Sequence, residues 1–281
     1  MFEPADGLFG TFVTKKWLVD ELSTLHHADI SEATFSRIGE TEIPTCLTYV
    51  ENRKRRGWTQ GDYSYVKDLL KQYHNTETLF YQHAQDIPGV PRTFLRRPLA
   101  DDDRGVICME YMEGCRTLPV YENISVEQMK SALKLYSVIQ YRCHSIPDSV
   151  RAQMDRNVFQ ILAGTTLSLK MSHFGNPVED LLRLFCIGLS PADRKLYTTI
   201  LLQYYCDEIT SLLPELNDVI TVVSLTSWYN EIFPVATLWT IVSLHASFEA
   251  ATSQLPEDEA RTKSVVEKIH AVADSDDLSA P

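Results

Sequence analysis

The pattern of this chain changes near residue 113, and that change limits the folds it can adopt. Runs 91–99 and 105–111 have strand character and flank an acidic turn, which predicts a hairpin. Beyond them, Ser125-Val126-Glu127-Gln128 is a capping-box pattern, and Ser190-Pro191-Ala192-Asp193 supplies a cap, an N1 proline and a first-turn acid. We therefore predict an α+β protein with a small β-containing part followed by a mainly helical part.

Further helices are predicted on both sides of this change. Thr14 can cap a first helix, and apolar residues recur at helical spacing over 64–85 until the Pro88-Gly89 turn. In the second part, a helix from Ser190 runs to about Leu213, and two more follow, split near Pro234. The predicted domains are 1–112, 113–270 and an acidic, small-residue tail 271–281 that frays.

Composition excludes several classes of partner. The net charge of 26 − 38 = −12 argues against nucleic acid and against anionic membranes. The most apolar run, 232–248, is interrupted by polar residues and is too short to span a bilayer. The first residues lack a basic region followed by an apolar one, so we expect a cytoplasmic chain. The six scattered cysteines form no C-x-x-C pair, so we expect buried thiols.

Two segments carry a resemblance to a known family. The first combines His74-Asn75-Thr76-Glu77 with Phe80-Tyr81, then Ile87-Pro88-Gly89-Val90-Pro91, and then Met109-Glu110-Tyr111. The second runs from His173-Phe174-Gly175-Asn176-Pro177 through Val178-Glu179-Asp180-Leu181-Leu182-Arg183-Leu184. In this order they resemble the CHK kinase-like family, which is ecdysteroid kinase-like and similar to choline and aminoglycoside phosphotransferases.

The resemblance implies a two-lobed, protein-kinase-like fold, truncated here to a small residual β N-lobe and a mainly helical C-lobe. It gives Glu77 the role of the helix acid that pairs with a strand lysine on the ATP phosphates. It also makes Glu110 and Met112 hinge positions that meet adenine. From spacing alone, an exposed helix acid is the favoured interpretation of Glu77.

The residues that phosphoryl transfer requires are missing from the sequence. None of the eight histidines begins the His-Gly-Asp loop of the family, and Ser168 occupies the position of its metal-binding aspartate, with Lys170 close by. The family's Val-x-x-Lys strand is also absent, and the nearest candidates are Lys54 and Lys67. We therefore predict no catalytic or metal-binding residue, no functional use of ATP or Mg²⁺, and no turnover of a small-molecule substrate.

Three hypotheses follow. The first is a catalytically inactive CHK kinase-like protein, or an incomplete gene model of an active one. The second is a helical interaction module that binds a protein partner or itself through Trp228, Phe233, Trp239 and Phe248, for which core packing is the alternative. The third is an unrelated hydrolase, which lacks support because Gly-x-Ser-x-Gly and His-Glu-x-x-His do not occur.

Overall fold

The structure is a computed structural model that describes residues 6–8, 11–30, 60–99, 104–116, 118–154, 176–252 and 259–273. These residues are mainly helical, with one small antiparallel sheet, as expected for a shortened α+β kinase-like fold. The elements in chain order are α1 Lys15–His26, α2 Gln60–His83, β1 Thr93–Arg97, β2 Val106–Met109, α3 Val126–His144, α4 Asp148–Met154, α5 Pro177–Gly188, α6 Pro191–Leu212, a short 3₁₀ helix Pro214–Leu216, α7 Val222–Thr252 and α8 Glu259–Ala273.

The chain divides into two compact units. The first contains the described residues up to Asp86 together with Val90–Gly114. The second contains Ile87–Gly89 and the described residues from Cys115 onward. The division after Gly114 lies two residues beyond the end of the predicted domain 1–112, and the strands belong to the first unit alone.

The first unit is built on the predicted hairpin. β1 pairs antiparallel with β2, with Thr93 opposite Met109 and Arg97 opposite Val106, and the register is irregular between Thr93 and Leu95. α2 packs against β1 and begins at Gln60, four residues before the predicted start. Thr14 caps α1 as predicted, because its side chain accepts a hydrogen bond from the Trp17 backbone N–H.

The second unit is a helical core in which α3 packs along α6 and α5 packs along α7. The capping box is complete, because Ser125 accepts from the Gln128 N–H and the Gln128 side chain accepts from the Ser125 N–H. Ser190 caps α6 by accepting from the Asp193 N–H, and its hydroxyl donates to Asp193 Oδ2. The fully buried core residues come from four helices: Met129, Leu133, Val178, Leu181, Leu182, Phe185, Leu201, Leu202, Tyr205, Leu225 and Tyr229.

Two predicted boundaries in this unit are wrong. α7 is one helix that continues through Pro234, because the apolar residues on both sides of the proline, Phe233 and Ala236 among them, are buried and outweigh its missing N–H. α8 runs to Ala273, three residues into the predicted tail, because Val272 is buried in the core. Residues 274–281 lie outside the described residues.

Other predictions from the sequence have mixed outcomes. Cys186 and Cys206 are buried, but Cys115 is exposed, and Cys46 lies outside the described residues. Phe233 is buried and Trp228 packs against the core, so these two aromatic residues serve core packing. The side chains of Trp239 and Phe248 lie outside the described set. None of the described helices is both long and apolar enough to cross a membrane.

Candidate functional site

Glu77 lies on the exposed side of α2. Its carboxylate interacts with Tyr81, one helical turn later. The pKa of the Tyr81 hydroxyl is raised by burial first and then by the negative charge of Glu77 and its hydrogen bond to that carboxylate. This position agrees with an exposed helix acid. Lys54, one of the two candidate lysine partners, lies outside the described residues.

Glu110 has a structural role at the end of the hairpin. Its backbone N–H donates to the Arg92 carbonyl at 2.8 Å, and its Oε1 accepts from the Arg92 N–H at 2.8 Å. The carboxylate therefore holds the two strands together where the β ladder ends. Met112, the second predicted hinge residue, is 37 % exposed in the turn that follows.

The His74-Asn75 pair fixes helix α2 to the end of the hairpin. The Asn75 side chain donates to the Leu99 carbonyl at 3.0 Å and accepts from the Leu99 N–H at 2.7 Å. His74 Nε2 lies 2.9 Å from the Arg97 carbonyl, and a Cβ at Gly105 would collide with the His74 ring. His74 and Asn75, which belong to the first segment that resembles the family, thus hold α2 against the end of the hairpin.

The second segment that resembles the family is described from Asn176 onward, and this part forms the beginning of α5. Asn176 caps it by accepting from the Val178 N–H, Pro177 occupies the first turn, and Glu179 and Asp180 follow. One face of α5 packs into the core of the second unit. Residues 155–175, which include Ser168, Lys170 and His173, lie outside the described residues.

A pocket of about 470 Å³ opens beside α5 within the second unit. Its walls are chiefly apolar and come from the segment before α3, from α3 and from α5. The apolar lining residues are Leu118, Pro119, Ile124, Leu184, Ile187 and Gly188. This volume falls in the range of small-molecule binding pockets.

The polar end of the pocket is formed by Tyr136 and Asp180. The Tyr136 hydroxyl donates to Asp180 Oδ2 at 2.7 Å. Burial, followed by the charge of Asp180, raises the pKa of Tyr136 well above its ordinary value, so the phenol stays neutral. The Gln140 side chain makes a second hydrogen bond to the Tyr136 hydroxyl, so this end of the pocket is lined by a hydrogen-bonded Tyr136–Asp180 pair.

A second ionisable pair lies next along α5. The Arg183 guanidinium is 3.5 Å from Glu179 Oε1, and Arg183 also lines the pocket. Burial raises the pKa of Glu179 to about 7; Arg183 opposes this rise and Asp180 adds to it. Glu179 is therefore partly protonated near neutral pH.

Charged groups hold the pocket wall that the segment before α3 forms. Glu122 accepts two hydrogen bonds from Arg116, both at 2.8 Å, and this pairing lowers the pKa of the Glu122 carboxyl. Lys268 on α8 is 1 % exposed and donates to the carbonyls of Val120, Glu122 and Ile187. Lys268 thus joins the segment before α3 to the last turn of α5.

Sequence reasoning missed the pocket and the burial of Lys268. The start of α5 could have been found, because Asn-Pro-x-Glu-Asp is a cap, an N1 proline and a pair of first-turn acids. No sequence signal brings Tyr136, Glu122 and Asp180 together, because they are separated by turns and by other helices. Within the described parts of the chain, no cluster of His, Cys, Asp or Glu could hold a metal ion.

The fold and this pocket define a mainly helical α+β protein with a small-molecule-sized pocket in its helical unit. Comparison with family models gives a more specific result. The chain matches the family described as "Uncharacterized oxidoreductase dhs-27" over residues 39–170 and 163–279, and it belongs to that family. No curated protein and no solved structure matches the chain.

Proposed function

We propose that this chain is a CHK kinase-like protein that retains the family scaffold but does not transfer phosphoryl groups. The observation that carries the proposal is the absence of the family's His-Gly-Asp loop, because none of the eight histidines is followed by Gly-Asp. The two family-model matches, over residues 39–170 and 163–279, overlap at 163–170. Ser168, in the position of the metal-binding aspartate, falls inside this overlap.

The described residues support the same proposal. The Glu77 side chain interacts with Tyr81, and the Glu110 side chain with Arg92 in the hairpin. A kinase instead uses its helix acid to position a lysine on the ATP phosphates, and it needs metal ligands and an aspartate that orients the attacking hydroxyl. Without these groups, the charge that develops on the transferred phosphoryl group is not neutralised.

The name of the family describes an oxidoreductase, and this provides the competing function. An enzyme that binds a dinucleotide in the common way has Gly-x-Gly-x-x-Gly between a strand and a helix of a parallel sheet. This sequence contains no such spacing; its nearest glycine pairs are Gly7 with Gly10 and Gly57 with Gly61. The sheet in the described residues is antiparallel.

Titration calorimetry with MgATP, followed by a transfer assay to choline and to an ecdysteroid, tests the proposal. We expect no binding at micromolar nucleotide and no labelled product. Ser168→Asp is the matched variant: we expect it to stay inactive, because one restored carboxylate does not replace the missing His-Gly-Asp loop. Phosphorylation by the unmodified chain would show that the proposal is wrong, and consumption of NADPH would favour the redox function.

Sequencing of the transcript separates an inactive protein from an incomplete gene model. The informative stretch lies between the codons for Phe159 and Met171. We expect the stretch to be continuous as given. An additional exon that encodes His-Gly-Asp would instead identify an active kinase whose sequence is incomplete here.

A further inference from the structure

The pocket beside α5 has the properties of a binding site that the proposed function does not use. Its volume of about 470 Å³ has room for a molecule of one or two fused rings, with one side open to solvent. Apolar side chains supply most of its wall, so the body of a ligand would be bound by removing apolar surface from water. The pocket lies wholly within the second unit.

Charges around the pocket indicate the polar group of such a ligand. Arg116 pairs with Glu122, Arg183 lies beside Glu179, and Lys268 is bonded to three carbonyls. Each nearby cation therefore has a protein acceptor, although Glu179, the partner of Arg183, is only partly ionised near neutral pH. Asp180, by contrast, accepts from the neutral Tyr136 hydroxyl.

The direction of the hydrogen bond between Tyr136 and Asp180 limits which ligand groups could bind there. The Tyr136 hydroxyl donates its proton to Asp180 Oδ2 and also accepts from the Gln140 side chain. It therefore has no proton left to donate, and its remaining lone pair can only accept from a ligand. The Asp180 carboxylate also accepts. A ligand group beside this pair must therefore donate hydrogen bonds, and a positive charge on it would complement the Asp180 carboxylate.

We propose that the pocket lined by Leu184, Ile187, Tyr136 and Asp180 binds a small apolar amine, with the ammonium group at Tyr136–Asp180 and the apolar body against α5. The ligand is held without chemical change. This binding is independent of nucleotide, and it stands whether or not the chain transfers phosphoryl groups.

Three probes that share one ring system test the proposal by calorimetry at about pH 7, where an alkylamine is protonated. They are naphthylmethylamine, naphthalenemethanol and naphthoic acid, and no ATP is present. We expect the amine to bind with a Kd below about 1 mM, and at least about fivefold more tightly than the acid. Equal binding of all three probes, or binding of none, would overturn the proposal.

Two variants locate the binding. Leu184→Trp fills the pocket and should abolish amine binding, whereas Leu196→Trp, at a residue that is 66 % exposed on α6, makes the same substitution outside the pocket and should not. Asp180→Asn keeps the volume and should remove the preference for the amine over the acid. Asp207→Asn, at an exposed carboxylate of α6, is its control.

Thermal melting establishes that each variant folds before titration. If Leu184→Trp does not fold, Asp180→Asn decides the question through probe selectivity alone, because the Tyr136 hydroxyl can still donate to the amide oxygen of the substituted side chain. Amine binding that is unchanged in folded Leu184→Trp, or amine selectivity that is unchanged in Asp180→Asn, would place the binding elsewhere and overturn the proposal.

Discussion

Lys268→Met should destabilise the protein strongly, because the Lys268 ammonium group joins three parts of the second unit. Its Nζ lies 2.8 Å from the Val120 carbonyl, 3.2 Å from that of Glu122 and 2.6 Å from that of Ile187. Methionine retains the apolar stem but leaves three acceptors without this donor. Losing several hydrogen bonds to a charged group costs more than removing the buried charge returns, so we expect a loss of about 3 kcal/mol.

Urea unfolding followed by circular dichroism measures this loss. In thermal melting, a loss of that size lowers the Tm by about 6–12 °C for a unit of this length. Lys263→Met is the matched control, because Lys263 is on the same helix with its side chain 77 % exposed. A Lys268→Met variant as stable as the control at neutral pH would refute the reasoning.

The pH dependence provides a second test of the same residue. Burial lowers the pKa of Lys268 to about 8 from an ordinary value of 10.5. Between these values the unfolded chain binds more protons than the folded one, so the stability of the parent protein should rise with pH across this window. Lys268→Met should lack this rise, and a parallel pH profile for the two proteins would contradict the assignment.

Three further predictions concern other parts of the chain. Asn75→Ala removes both hydrogen bonds to Leu99 and should lower the free energy of unfolding by about 1–2 kcal/mol in urea titration. Glu179→Gln should gain stability relative to the parent as pH rises from about 4.5 to about 7, because the raised pKa makes the folded parent bind more protons in that window; flat relative stability in pH-dependent melting would contradict this. Pro234→Ala restores a helix N–H that can bond to the Asn230 carbonyl, and it should stabilise by about 1–3 kcal/mol in the same urea assay; unchanged or lower stability would contradict this.

Local signals in the sequence predicted the elements well where a few neighbouring residues decide the backbone. Thr14, Ser125 and Ser190 each cap the helix that they were expected to cap. The acidic turn between two strand-like runs predicted the hairpin. Caps and turns depend on contacts three or four residues apart, and such contacts can be recognised in one dimension.

The resemblance predicted residues of interest but not all of their surroundings. Glu77 is exposed, as its spacing alone allowed, and Glu110 closes the hairpin. The roles proposed for them in ATP binding remain predictions. His74 and Asn75 were noted as family residues, and the contacts that they make could be found only after α2 was placed against the hairpin.

The sequence by itself therefore determined the order of the described elements and the place of the hairpin in the first unit, whereas the loss of phosphoryl transfer stays a prediction. Tertiary structure alone decided that α7 continues through Pro234, that Lys268 is buried against three carbonyls, and that Tyr136 and Asp180 meet at the end of an apolar pocket. The physical reason is that the free energies of burial and desolvation depend on residues far apart in the chain. These free energies outweigh the local preference of a single proline or lysine.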